Sequence, residues 1–237
     1  SPAYARELAK SIDRAKATPS RELGPPISLE VESKETTHLS VMDASGMAVS
    51  NTYTLEAAYG SGVVVRGAGF LLNNEMGDFN PQPGVTNENG RIGTAANLVA
   101  PEKRMLSSMT PTIVTKDGKV VLVTGSPGGR TIINTVLCVT LNVLEFEMSI
   151  REAVDAARMD QEWFPDRVRF VGADSEEHKA LAGKLRAMGH DVRSTRGQGD
   201  ANSILVAPNG VLRGAADGEY GAAVGGREAV PSPDSGK

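Results

Sequence analysis

A chain of 237 residues is long enough for one large domain or two small ones, and 40% hydrophobic with 23% charged residues is the composition of a folded globular protein. A formal net charge of -4, scattered Lys and Arg, and only 4% aromatics argue against nucleic acid or an anionic membrane as a partner. The single cysteine excludes an internal disulfide, and with three dispersed histidines (His38, His178, His190) it leaves no zinc site of the usual kinds.

The chain opens on SPAYARELAKSIDRAKA, where Tyr4, Leu8 and Ile12 recur at helical spacing and Pro2 sits where a helix tolerates proline. Residue 1 begins no signal peptide, and no stretch is apolar for long enough to cross a membrane. Residues 18–35, TPSRELGPPISLEVESKE, hold three prolines and four glutamates with little periodicity, and are expected to be an exposed, mobile arm. Regular structure is expected from Thr36. Three hairpins follow: LSVMDASGMAVSNTYTL turning at Ala44-Ser45-Gly46, PTIVTKDGKVVLVTG at Asp117-Gly118, and SILVAPNGVLRGAAD at Asn209-Gly210. Helices are expected at about 130–145, 149–158 and 175–189, the last with Ser175 as N-cap and Gly189 as stop. Cys138, in the first of these, reads as a small buried hydrophobe.

Hairpins mixed with helices imply α+β architecture with antiparallel sheets covered by helices, not a parallel dinucleotide fold. The long Gly- and Asn-rich loop 73–108 has the length of a functional or disordered segment, and the tail 227–237 is expected to be flexible. The sequence shows no internal repeat.

Thr36 and Thr37 read as ordinary residues opening a strand. Thr36 is also a candidate nucleophile, provided a base takes its proton; a free N-terminal amine serves when the preceding peptide bond is cut. Such an amine has a pKa of roughly 8 and is partly neutral near pH 7. In TGSPGGRTIINTV, Gly128 and Gly129 precede a helix, so their amides either stabilise an oxyanion or simply make a turn; no phosphate-loop spacing is present. Glu75 and Asp78 are either solvated loop acids or a pair for a substrate ammonium. Ser107 and Ser108 either cap local backbone or donate to a ligand. Asp160 and Glu162 beside Trp163, the one tryptophan, read as a helix end packing on an aromatic, and His38 reads as structural.

Taken in order, TTHLSVMD, NTYTLEAAYGSG, LLNNEMGDF, PEKRMLSSMTPTIV and TGSPGG resemble the small subunit of γ-glutamyltranspeptidase (glutathione hydrolase) from Thr36 to about Gly226. Residues 1–35 resemble the C-terminal end of that family's large subunit. The resemblance implies an N-terminal-nucleophile hydrolase fold, a four-layer αββα sandwich. It implies self-cleavage between Glu35 and Thr36, dividing the chain into 1–35, a catalytic part 36–226 and the tail. It implies hydrolysis and transfer of γ-glutamyl groups from glutathione through an acyl-threonine, to water or to an acceptor amino acid or peptide, with no cofactor and no metal.

Roles carry over by position. Thr36 would be nucleophile and, through its amine, base; Thr54 would orient its hydroxyl; Gly128 and Gly129 would form the oxyanion hole. Glu75 and Asp78, with Glu56, would bind the α-ammonium, and Ser107 and Ser108 would lie near the α-carboxylate. Many relatives have Asn in place of Glu56, some have an aromatic gate where Asn89 stands, and the carboxylate-binding arginine belongs to the large subunit, which would be the partner chain. Bacterial relatives imply a periplasmic or extracellular location. Two alternatives stand beside this: a dicarboxylic acylase on the same scaffold, and an inactive fragment or binding remnant.

Overall fold

The computed structural model describes residues 1–23, 36–80 and 95–217. Glu35, Asn89, positions 24–35 of the expected arm and the tail 227–237 lie outside these residues. In chain order the elements are α1 (Pro2–Lys10), β1 (Thr36–Met42), β2 (Ala48–Thr54), β3 (Val64–Val65), β4 (Phe70–Leu71), β5 (Thr112–Lys116) and β6 (Lys119–Gly125). They continue with α2 (Ile132–Leu144), α3 (Ile150–Asp155), β7 (Met159–Asp160), β8 (Val168–Val171), α4 (Lys179–Ala187), β9 (Val192–Thr195), β10 (Asn202–Val206) and β11 (Leu212–Ala216). The chain forms two compact units that interleave along the sequence.

The larger unit comprises described residues 36–77, 107–156 and 197–217. All three expected hairpins are here, each for a local reason. Asp117 and Gly118 take positive φ (51° and 75°), as a two-residue turn matching strand twist requires. In the β1–β2 turn, Asp43 Oδ1 accepts from Ser45 N (2.8 Å), Ser45 Oγ (2.7 Å) and Met47 N (3.0 Å). These bonds, the Ser45 hydroxyl first, hold the Asp43 carboxyl below its ordinary range. Strands β11-β10-β6-β5 form one antiparallel sheet, and β1–β2 a second.

Side-chain alternation sorts the layers. Leu122 of β6 is fully buried against Val139, Val143, Ile150, Ala153 and Val154 of α2 and α3. Gly125, three residues on, faces the opposite way, and the His38 ring of β1 occupies the space where its Cβ would be, 2.0 Å from Cε1. The unit is therefore helices on sheet on hairpin. Burying a side chain such as Leu122 contributes about 1.5–3 kcal/mol, and a continuous cluster of them stabilises the stack.

The helix ends differ from the sequence reading. A 3-10 turn at Gly129–Thr131 precedes α2, so the α-helix starts at Ile132. Ser149 and Glu152 form a reciprocal capping box that starts α3 sharply; α3 stops at Asp155 because Ala156 turns extended. Cys138 on α2 is only partly buried.

The smaller unit comprises described residues 1–23, 78–80, 95–106 and 157–196. Its sheet runs β7-β8-β9, and β8 pairs parallel to β9 in register from Val168↔Val192 to Val171↔Thr195. The antiparallel expectation fails for this pair because α4 supplies the crossover that parallel strands need. Phe170, Ala182 and Val192 are at its core. Helix α4 begins at Lys179, four residues after the expected cap: Ser175 Oγ accepts from His178 N (3.3 Å) within a preceding turn. Gly189 ends it with φ +99°. The expected exposed arm is corrected at Ser20, whereas Thr18, Arg21, Glu22 and Leu23 are exposed as expected. Ser20–Glu22 form a 3-10 turn, and Ser20 is fully buried, because its polar atoms find partners some 140 residues away.

Candidate active site

Thr36 opens β1 and is the register partner of Thr54, which closes β2. Directly opposed residues share one face of an antiparallel pair, with Cβ atoms about 5 Å apart. That face continues through His38, Ser40, Ser50 and Thr52 and packs on the four-stranded sheet: Ser50 Oγ donates to Thr124 O (2.9 Å) and Ser40 Oγ to Asn202 O (2.8 Å). Because the Ser40 proton is committed to Asn202, His38 Nε2 donates to Ser40 Oγ (3.1 Å). His38 Nδ1 then accepts from Thr52 Oγ1 (2.8 Å). Burial lowers the His38 pKa to about 4, so the ring is neutral. It is a structural histidine, as its position predicts.

The His38–Gly125 contact brings the start of β1 to the end of β6. Thr36 lies two strand residues, about 7 Å, from one side of it. The glycine pair Gly128-Gly129 lies three residues beyond the other.

Two carbonyls orient that pair. Pro127 O accepts from Ser126 Oγ (2.6 Å), and Gly128 O accepts from Thr131 N (3.2 Å) and Thr131 Oγ1 (2.9 Å). In a trans peptide the N–H points opposite to the C=O. The Gly128 amide is thus aimed away from the Ser126 hydroxyl, and the Gly129 amide away from the helix start. Gly128 at φ +130° approaches Gly199 so closely that a Cβ would stand 3.0 Å from the Gly199 Cα. Gly199 at φ +68° has no room for a side chain beside Thr135 Oγ1 (2.4 Å from an added Cβ). Asp200 N donates to Ser126 Oγ (2.8 Å) and Thr135 Oγ1 to Gln198 O (3.3 Å), bracing the glycine loop from behind.

Thr54 Oγ1 accepts from Glu56 N (2.8 Å), and a hydroxyl that accepts there retains a proton to donate. Glu56 has φ +70°, a costly conformation for a residue other than Gly or Asn. Its carboxylate lies on Gly77, where a Cβ would be 2.1 Å from Oε1. Asn74 stitches the two segments: its Oδ1 accepts from Ala57 N (3.1 Å) and its N donates to Leu55 O (3.1 Å). Glu56 is thereby brought beside the 3-10 turn Glu75–Asp78, and Glu56 Oε2 and Glu75 Oε1 are both shielded from solvent.

Asp78 shares that turn but begins the smaller unit, where its carbonyl accepts from the buried Asn97 Nδ2 (2.7 Å). Ser107 Oγ accepts from Met109 N (3.2 Å) and Ser108 O from Thr110 Oγ1 (3.3 Å), both local turn contacts. Asp160 and Glu162 both pair with Arg169, and Trp163 donates to Ser20, so the reading of a helix end on an aromatic is replaced. Ser126, Thr131, Thr135, Asn74 and Gly199 are site residues that were not expected from the sequence. Only the glycine-rich GQGD around Gly199 carried any signal.

The model of the family described as gamma-glutamyltranspeptidase matches residues 1–225. The chain belongs to the γ-glutamyltranspeptidase family. It is 46% identical over 215 residues to the glutathione hydrolase proenzyme of Escherichia coli (strain K12), across 91% of this chain and 37% of the relative. It is 44% identical to γ-glutamyltranspeptidase from Pseudomonas nitroreducens complexed with L-DON, with a TM-score of 0.71, across 81% of this chain and all (100%) of that one. It is also 37% identical over 186 residues to the acylase ACY 1 proenzyme of Pseudomonas sp. (strain SE83), across 78% of this chain and 31% of the relative. The chain therefore spans about a third of the length of these curated relatives (37% and 31%). The α+β, mainly antiparallel N-terminal-nucleophile hydrolase fold expected of γ-glutamyltranspeptidases is the fold of this chain. Among the described residues no helix is long and apolar enough to cross a membrane.

Proposed function

We propose that this chain is the catalytic part of a γ-glutamyltransferase and glutathione hydrolase that cuts itself before Thr36. The observation that carries the reading is the Thr36–Thr54 pair at the open end of the hairpin sheet, close to the pinned Gly128-Gly129 loop. In the cut, Thr36 Oγ1 attacks the Glu35 carbonyl and the Glu35–Thr36 C–N bond breaks. The acyl group passes to oxygen, and the nitrogen keeps its proton and gains the hydroxyl's. Water then hydrolyses the ester, leaving Glu35 as a carboxylate and Thr36 with a free amine.

In turnover the same oxygen attacks the γ-glutamyl carbonyl while the amine takes its proton. Thr54 donates to and orients that oxygen, and the Gly128 and Gly129 amides stabilise the oxyanion, a term worth several kcal/mol in acyl transfer. The leaving amine departs with the proton, and water or an acceptor amine resolves the ester. Glu56, Glu75 and Asp78 hold the substrate ammonium by charge-assisted hydrogen bonds, and Ser107 and Ser108 lie near its carboxylate.

A large subunit is the partner this reading requires, and exposed apolar faces support it. Helix α2 packs Val136 and Val139 inward yet presents Ile133, Leu137 and Leu144 to solvent, while the outer hairpin face presents Leu39, Val41, Val49 and Tyr53. A helix apolar on all sides is normally covered. A periplasmic or extracellular location follows the same reading.

The acylase relative keeps a second substrate class open. The clustered carboxylates of Glu56 and Glu75 favour an acyl group bearing an ammonium, which a glutaryl group lacks. The test compares γ-glutamyl and glutaryl anilides with the whole precursor. The expected result is a preference for the γ-glutamyl substrate that Glu75→Gln sharply reduces, with no turnover by Thr36→Ala. Preference for glutaryl would replace this reading with the acylase.

A further inference from the structure

Ser20 stands 16 positions before Thr36 and is completely buried. Each of its polar atoms is met from far along the chain. Ser20 N donates to Asp166 Oδ2 (2.8 Å) and Ser20 Oγ to Asp166 Oδ1 (2.7 Å), so one carboxylate takes both donors side by side. Ser20 O accepts from the Trp163 indole Nε1 (2.6 Å). Gln161 Nε2 donates to Ser20 Oγ (3.1 Å) and to Asp166 Oδ1 (3.3 Å), while its Oε1 accepts from Trp163 N (2.6 Å) and so fixes the amide's orientation. Trp163 itself is held at φ +71°, a backbone conformation that a bulky side chain rarely adopts. Three residues upstream of Ser20, Ala17 N donates to Met188 O (2.8 Å), and the Ala17 methyl reaches the Cα side of Gly189. All of these groups belong to the smaller unit.

This arrangement exceeds what a linker needs. Asp166 and Gln161 are exposed on their outer side, yet one carboxylate takes both an N–H and an O–H of a fully buried serine, which is a charge-assisted, two-pronged contact. Removing Asp166 takes the acceptor from both Ser20 donors at once. We infer that Asp166, Gln161 and Trp163 form a latch whose ligand is the Pro19–Leu23 segment, and that the latch keeps the leading segment bound after the chain is cut. The inference rests on the cut proposed above, because only a cut converts this internal contact into an interface between two polypeptides: Ser20 remains on the leading piece, and the latch residues remain on the piece beginning at Thr36.

The experiment uses the whole precursor and reads amide hydrogen exchange in peptides covering residues 17–23. One series cuts itself; a second carries Thr36→Ala and an inserted protease site within 24–35, so that the cut is imposed. The latch predicts protection of 17–23 before and after either cut. It also predicts exchange roughly tenfold to a hundredfold faster in Asp166→Ala, in line with loss of hydrogen bonds to a charged group, with Asp166→Asn between the two and α2 unchanged. A wild-type segment that exchanges like a free peptide after the cut overturns it, as does an Asp166→Ala segment that stays protected. If Asp166→Ala also loses protection in α2, Trp163→Phe decides, since it removes the indole donor and keeps an aromatic ring: faster exchange at 17–23 with α2 unchanged supports the latch and unchanged exchange at 17–23 overturns it. Failure of the first series to cut counts against the cleavage proposed for Thr36, and the imposed cut still decides the latch.

Discussion

His38 gives the fold a pH dependence of definite sign. Its folded pKa of about 4 lies below the ordinary value of 6.5, so the folded state favours the neutral ring. The unfolded chain therefore binds the proton first as pH falls. The stability from this residue is complete above pH 6.5 and is lost as pH drops through 6.5 towards 4, by up to about 3 kcal/mol for a shift of this size. Urea unfolding between pH 7.5 and 4.5 should show wild type losing stability more steeply than His38→Gln. Equal slopes would mean that the ring is not held neutral by burial. At the candidate active site the testable residues are the ones that pin carbonyls. Thr131→Val removes the hydroxyl that donates to Gly128 O, leaving only the Thr131 amide on that carbonyl. If the Gly129 amide stabilises the oxyanion, kcat for γ-glutamyl anilide should fall on the order of tenfold or more with KM nearly unchanged. A change in KM alone would place Thr131 in substrate binding.

The hairpin sheet and the four-stranded sheet are coupled by the Ser50–Thr124 and Ser40–Asn202 hydrogen bonds and by the close approach of His38 to Gly125. A methyl there would stand 2.0 Å from His38 Cε1, so Gly125→Ala must displace the ring from Thr52 and Ser40. Overpacking of this kind costs about 1–3 kcal/mol, and the thermal midpoint should fall accordingly. An unchanged midpoint would show that the His38 ring gives way without cost. Elements of this kind were partly legible beforehand. The three hairpins could be read because the Ala-Ser-Gly, Asp-Gly and Asn-Gly turns between alternating strands announce themselves locally. Strands β8 and β9 could not, since VRFV and VRST are short runs whose pairing depends on α4 lying between them. The same contrast holds within the site. The paired threonines and the glycine loop stood out in the sequence. The serine and threonine hydroxyls behind that loop did not, because Ser126, Thr131 and Thr135 act through contacts that only the folded chain brings together. Ser20 was misread for the same reason: a polar, proline-containing stretch gives no local sign of a carboxylate waiting at Asp166.

At the scale of the whole molecule, two features of the larger unit bear on one event. The unit exposes apolar faces on α2 and on the outer side of β1–β2, as expected of a part that another chain covers. The same unit carries at the start of β1 the residue that would become a chain end. The most direct measurement is the N-terminal residue, with the intact mass, of the smaller polypeptide in an active preparation of the whole protein. The account predicts a chain that begins with Thr36 bearing a free amine, and a single uncut chain when Thr36 is replaced by alanine. A fully active preparation in which Thr36 is still joined to Glu35 would contradict it.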